Sequence, residues 1–176
     1  ELVLRKDYDQ CRDEVQKYAG KGYRVLLFGK YEGELDGERL RDKVIPYGYI
    51  LLANPIRQEA PETFAYFAEQ GVDVKVISGD NPLTVSEVAK EAGIKNADRY
   101  IDASTLRTEE ETAEAIAEYT VFGRVTPAQK RQFVQALKAQ GRTVAMTGDG
   151  VNDVLALKDA DCSVAMASGS DAAVQA

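Results

Sequence analysis

From Ala53 onward the sequence alternates short β-branched runs with amphipathic segments, and this alternation restricts the possible folds more than any other feature. "VDVKVIS", residues 72–78, reads as a strand. The following "NPLTVSEVAKEAGI" offers Asn81 as an N-cap, Pro82 at the first helical position and a glycine stop, the punctuation of a helix. The same grammar recurs in "YTVFG" followed by "TPAQKRQFVQALKAQG", and in "RTVAMTG" followed by "VNDVLALKDAD", before a last apolar run, "CSVAM". Strands separated by single helices predict right-handed βαβ units: an α/β, Rossmann-like architecture with a parallel sheet and helices on both faces.

Upstream of Ala53 the pattern differs. "DYDQCRDEVQKYAGKG" predicts a helix with Val15 and Tyr18 on one face, and "YRVLLFGKYEG" and "VIPYGYILLANP" predict strands. One helix and two or three strands are too little for an independent core, so residues 1–48 are expected to be the end of another domain and residues 49–176 the main one. Glu1 in place of methionine fits a piece of a longer chain. The charged run "RTEEETAEAIAEY" has helical period and reads as a solvated helix face.

Composition excludes some partners. A net charge of -7 argues against nucleic acid, whose binding domains carry basic faces that displace counterions. No stretch approaches the roughly 18 to 20 apolar residues of a membrane span. Cys11 and Cys162 lack metal-ligand spacing and read as packing residues in a reducing compartment.

In open α/β sheets, ligands collect at the carboxyl ends of the strands. Three loops occupy that position: "SGDNP", "GRVTPAQK" and "TGDGVND". Gly79, Gly148 and Gly150 allow backbone N–H groups to approach an anion, and a helix starting near Asn152 would add its positive end. Ser78 offers a hydroxyl donor and Lys130 an ammonium, which suits a phosphoryl group. Asp149 and Asp153 supply hard oxygen ligands of the kind Mg²⁺ prefers, with Asp149 as the direct ligand and Asn152 and Asp153 holding waters or orienting it. Two carboxylates beside a phosphate make little electrostatic sense without such a cation. Taken singly, "SGD" and "TPAQK" are ordinary helix starts; the three loops in order are far more specific.

These residues resemble a family. "TGDGVNDVLALKDADCSVAMASGSDAA", "VISGDNPLTVSEVAKEAGI" and "GRVTPAQK" are similar, in the correct order, to motifs of P-type cation-transporting ATPases, whose phosphorylation domain has the haloacid dehalogenase fold. The resemblance covers about residues 50–176, and residues 1–48 look like the end of the inserted nucleotide-binding domain. It implies Mg²⁺ as cofactor and ATP as substrate, with Asp149 and Asp153 at the metal. Ser78 and Gly79 would hold the transferred group and Lys130 would offset its charge, while Asn54, Arg57, Asp80 and Arg124 would help to place the nucleotide. It also implies a cytosolic location beside a membrane domain, in the plasma membrane, that binds the transported cation. The form "GVND" with "GSDAA" is closer to pumps for calcium, other alkaline-earth or alkali cations than to heavy-metal pumps.

The sequence also departs from the pattern. The Asp-Lys-Thr-Gly stretch that carries the family's nucleophile does not occur in it, so the sheet is expected to lack its first strand and the chain alone is expected to be inactive. The "KGA" signature of the adenine pocket is absent as well, Asn54 stands where an aspartate is usual, and "NDVLAL" replaces "NDAPAL". A soluble phosphatase of the same fold and a non-catalytic Mg²⁺ and phosphate binding module remain as alternatives.

Overall fold

The structure, a computed structural model, describes residues 4–34, 40, 42–53 and 55–175. Its centre is strand β5 (Val121–Gly123), flanked by β3 (Val76–Ile77) and β4 (Tyr100–Asp102) in a parallel three-stranded sheet. Successive side chains of a strand point to opposite faces, so β5 sends Val121 one way and Phe122 the other. Val121 is fully buried with Val85 and Ala89 of helix α3 (Pro82–Glu91). Phe122, also fully buried, joins Ile116 of α4 (Glu109–Glu118) and Phe133 of α5 (Pro127–Ala139), the two rings lying 4.6 Å apart. Helices therefore cover both faces, as the alternating pattern predicts.

Strands β6 (Ala145–Gly148) and β7 (Cys162–Ala165) form a second, two-stranded parallel sheet. Helix α5 joins the two sheets. Its Phe133 packs under Phe122, whereas the neighbouring Val134 enters a separate cluster with Val144, Met146, Ala156 and Leu157. The parallel strands are thus divided, and β3 is not hydrogen-bonded to β6 among the described residues. Asp73, just before β3, lies 3.9 Å from Arg142, just before β6, so these two sides approach each other. The strand expected over residues 72–78 shortens to Val76–Ile77 because β5 pairs with only one of its edges.

The helix punctuation is as read. Asn81 Oδ1 accepts from the Leu83 N–H at 3.0 Å, and Gly93 takes a φ of 81° after the last turn of α3. Between α5 and β7 the expected helix is shorter: a 3₁₀ turn, Val151–Asp153, leads into α6 (Val154–Asp159).

In the N-terminal part, α1 (Tyr8–Ala19) packs on an antiparallel hairpin of β1 (Arg24–Tyr31) and β2 (Val44–Leu52). Cys11 and Ala19 are buried, and the Tyr18 and Tyr49 rings lie 6.2 Å apart. The other hairpin face leaves Leu26, Phe28, Ile50 and Leu52 exposed, and β2 continues through residue 48, with a shift of register where Phe28 and Gly29 pair with Gly48 and Pro46. Helix α2 (Ala60–Glu69) follows, with a proline in its first turn and no buried residue. Cys162 is exposed, so only Cys11 fills the packing role expected of both cysteines.

Candidate active site

The three strand-end loops meet. After β3, Ser78 accepts from the Asp80 N–H through Oγ at 3.1 Å, which closes a tight turn. The loop after β5 is tied to that turn by two backbone bonds, Val125 N–H to the Ser78 carbonyl at 3.0 Å and Arg124 N–H to the Asp80 carbonyl at 2.8 Å. Gly123 makes this junction possible, because a Cβ there would lie 2.4 Å from Pro82 Cα. Gly79 is different: a Cβ would come no closer than 3.8 Å to any protein atom, which leaves its outer side open to a ligand.

Helix α5 begins on a complete capping box. Thr126 Oγ1 accepts from the Gln129 N–H at 3.3 Å, and Gln129 Oε1 accepts from the Thr126 N–H at 3.0 Å. One residue later in the first turn, Lys130 sends its ammonium to Asp153 Oδ1 at 2.6 Å. This joins the second loop to the third. Asp153 Oδ2 also accepts from the N–H groups of Gly150 at 3.0 Å and Asp149 at 3.3 Å. The pair is dry, with side chains 14% and 6% exposed for Lys130 and Asp153. Burial works against the charge on Asp153, but the Lys130 ammonium and the two loop amides outweigh it and hold its pKa below the usual carboxylate value. Gly148 is required here as well, since a Cβ would sit 2.6 Å from Asp153 Cβ.

The two acids of "TGDGVND" are therefore not equivalent. Asp153 is turned inward onto Lys130 and its own loop. Asp149 is exposed, and its carboxylate has no hydrogen bond or ion pair among the described residues. Its carbonyl accepts from the Ser170 N–H at 2.7 Å, which fixes the backbone while leaving the side chain at the strand end. Asn152 is exposed beside it. No three acid, cysteine or histidine side chains among the described residues converge so that they could hold a metal ion by themselves, so a cation here would rely on one free carboxylate and on oxygens from elsewhere. That donor set fits Mg²⁺, which keeps waters and takes one or two carboxylates beside phosphate oxygens. The six-residue length of α6 leaves little helix dipole at Asn152, so the anion-binding character expected of that helix start falls to the loop amides and Lys130.

Of the residues expected near a nucleotide, Asp80 and Arg124 line a cavity of about 190 Å³ with Gly79, between the N-terminal part and the α/β part. Arg57 is exposed in the segment after β2, and Asn54 lies outside the described residues. Sequence reasoning missed Arg24. It lines the same cavity and places Nε 3.5 Å from Asp80 Oδ1, yet a lone arginine opening a strand gives no signal before the fold brings it there. Asp102, whose Oδ2 accepts from Arg124 Nη1 at 2.6 Å, was missed for the same reason.

Residues 4–161 match the family described as haloacid dehalogenase-like hydrolase, and the chain belongs to that family. Its curated relatives include P-type cation-transporting ATPases. It is 48% identical over 171 residues to the calcium-transporting ATPase CtpE of Mycolicibacterium smegmatis, covering 97% of this chain and 21% of the relative. The probable cation-transporting ATPase exp7 of Streptococcus pneumoniae is 40% identical over 177 residues, 99% of this chain and 22% of that protein. The P-type 1 magnesium-transporting ATPase of Salmonella typhimurium is 33% identical over 180 residues, 98% of this chain and 19% of its own length. The chain thus spans about a fifth of the length of these relatives. No helix among its described residues is long and apolar enough to cross a membrane.

Proposed function

We propose that the chain is the phosphoryl-handling part of a P-type cation-transporting ATPase, on the cytosolic side of a plasma-membrane protein. The complete protein would move the γ-phosphoryl group of ATP to an aspartate and couple hydrolysis of that acyl phosphate to cation transport. The observation that carries this reading is the division between two acids of one loop. Asp153 is neutralised by Lys130, while Asp149 keeps an open carboxylate at the same strand end. A turn with only a structural task would need neither.

In this reading residues 1–48 are the end of the nucleotide-binding domain and residues 49–176 belong to the phosphorylation domain. Ser78 and Gly79 hold the transferred group through a hydroxyl and backbone N–H groups. Lys130 offsets its charge from a position fixed by Asp153. Asp80, Arg124, Arg57 and Asn54 help to place the nucleotide, and Arg24 adds a cation on the same cavity wall. Asp149 would hold Mg²⁺ directly, with Asn152 beside it and Asp153 fixing the loop through its bonds to Lys130 and the Asp149 and Gly150 amides; the cation when bound would neutralise charge on phosphoryl oxygens. Work of this kind is positioning and charge stabilisation, and it needs no histidine, of which the chain has none.

The accepting aspartate is assigned to a segment outside this sequence, which has no Asp-Lys-Thr-Gly stretch. Among the described residues no strand pairs with the outer sides of β3 and β6, which supports this, because one further parallel strand between them would join the two sheets into one. Relatives named for calcium and magnesium support an alkaline-earth ion as the transported cation, bound by a membrane domain and not by this chain. Replacing Asp149→Asn in the complete parent protein is expected to abolish Mg²⁺-dependent phosphoenzyme formation, read as acid-stable, hydroxylamine-sensitive label from γ-labelled ATP. Full labelling of that variant would sink the assignment.

A further inference from the structure

The residue that follows β5 is held in an unusual way. Arg124 has a φ of 54°, a left-handed conformation that side chains other than glycine seldom adopt. Three bonds hold it there. Its N–H donates to the Asp80 carbonyl at 2.8 Å, the next N–H donates to the Ser78 carbonyl at 3.0 Å, and its Nη1 donates to Asp102 Oδ2 at 2.6 Å. Asp102, the last residue of β4, is itself fixed. Its Oδ1 accepts from the Ser104 N–H at 3.0 Å and from the Ser104 hydroxyl at 2.6 Å. Burial disfavours the charge on Asp102, yet the Ser104 and Arg124 bonds outweigh it and keep this carboxylate ionised below the usual range.

We propose that Asp102 is a positioning residue: it orders the guanidinium of Arg124, a residue that lines the cavity with Arg24, Gly79 and Asp80, ready for a nucleotide. This rests on the assignment of that cavity to the nucleotide under Proposed function. The Arg124 side chain is 54% exposed, and an ion pair so open to water contributes little to stability. Its value lies elsewhere. A free arginine loses rotamer freedom on binding a ligand, and a carboxylate that has already ordered one end of the guanidinium removes part of that cost.

The test combines a double-mutant cycle with a measurement that needs no ligand. ATP binding to the chain in the presence of Mg²⁺ would be followed by calorimetry for Asp102→Ala, Arg124→Ala, the double variant and Ser104→Ala. Asp102→Ala and Arg124→Ala are each expected to weaken binding about tenfold, equivalent to about 1.4 kcal/mol, with the double variant no weaker than Arg124→Ala alone. Ser104→Ala removes one of the two bonds that fix Asp102 and leaves the Ser104 N–H bond and the carboxylate in place, so it is expected to weaken binding by less than Asp102→Ala does. If Arg124→Ala weakens binding and Asp102→Ala does not, the positioning role is overturned. In parallel, the Arg124 Nε–Hε resonance reports side-chain order directly. Its order parameter is expected to fall in Asp102→Ala and to fall less in Ser104→Ala, which keeps the Asp102 carboxylate; an unchanged value in Asp102→Ala also overturns the proposal. Absence of ATP binding by the parent chain would count against the nucleotide assignment, leaving the resonance to decide whether Asp102 positions Arg124.

Discussion

Lys130 and Asp153 carry the sharpest energetic consequence at the level of single residues. Removing one partner of a buried ion pair strands the other charge, at a cost of about 3–5 kcal/mol. Lys130→Ala is therefore expected to destabilise the chain by about 3 kcal/mol at neutral pH, read by urea denaturation; a loss below 1 kcal/mol would mean that water already screens the pair. The pH dependence has a definite sign. The folded-state pKa of Asp153 lies below its unfolded value, so its contribution is complete above about pH 3.9 and is lost as pH falls through the folded pKa. The gap between the parent chain and Lys130→Ala should accordingly narrow below about pH 4, because a protonated Asp153 no longer needs its ammonium. The residue types at this site were readable from "TGDGVND" and "TPAQK". Which acid turns inward was not, because Asp149 and Asp153 are chemically identical until Lys130 comes within reach of one of them.

Among the elements, legibility followed length and periodicity. Helices α3 and α5 announce themselves through Asn81, Thr126 and a proline at the first helical position. Strand β4, three residues inside "DRYIDAST", carries no alternation to read and exists because β5 offers it an edge. Strand β3 shows the reverse, a seven-residue β-branched run of which only Val76–Ile77 is paired. Val76 and Ser78 donate their N–H groups to the Thr120 and Phe122 carbonyls, so the Ile77 N–H points to the opposite side, where no strand lies among the described residues. Amide exchange is expected to be slow at Val76 and Ser78 and faster by at least tenfold at Ile77. Equal protection at all three positions would mean that something already covers that edge.

The split sheet is also the basis for expecting no catalysis from the chain by itself. Purified alone, it should have no measurable ATPase or phosphatase activity, and turnover that persists through repurification and is lost in Asp149→Asn would contradict the assignment of the nucleophile to another segment. The sequence by itself determined the α/β class, the order of the strand-end loops and the residue types, Ser78, Lys130 and Asp149, on which the proposed phosphate and Mg²⁺ chemistry rests. These depend on local punctuation and residue type, which the chain writes within a few positions. Only the tertiary structure decided that the parallel strands fall into two sheets spanned by α5, that Asp153 is spent on Lys130, that Arg24 reaches the cavity beside Asp80 and Arg124, and that Asp102 pairs with Arg124. Those outcomes join residues 22 to 56 positions apart, and their energies exist only once packing has brought the partners together.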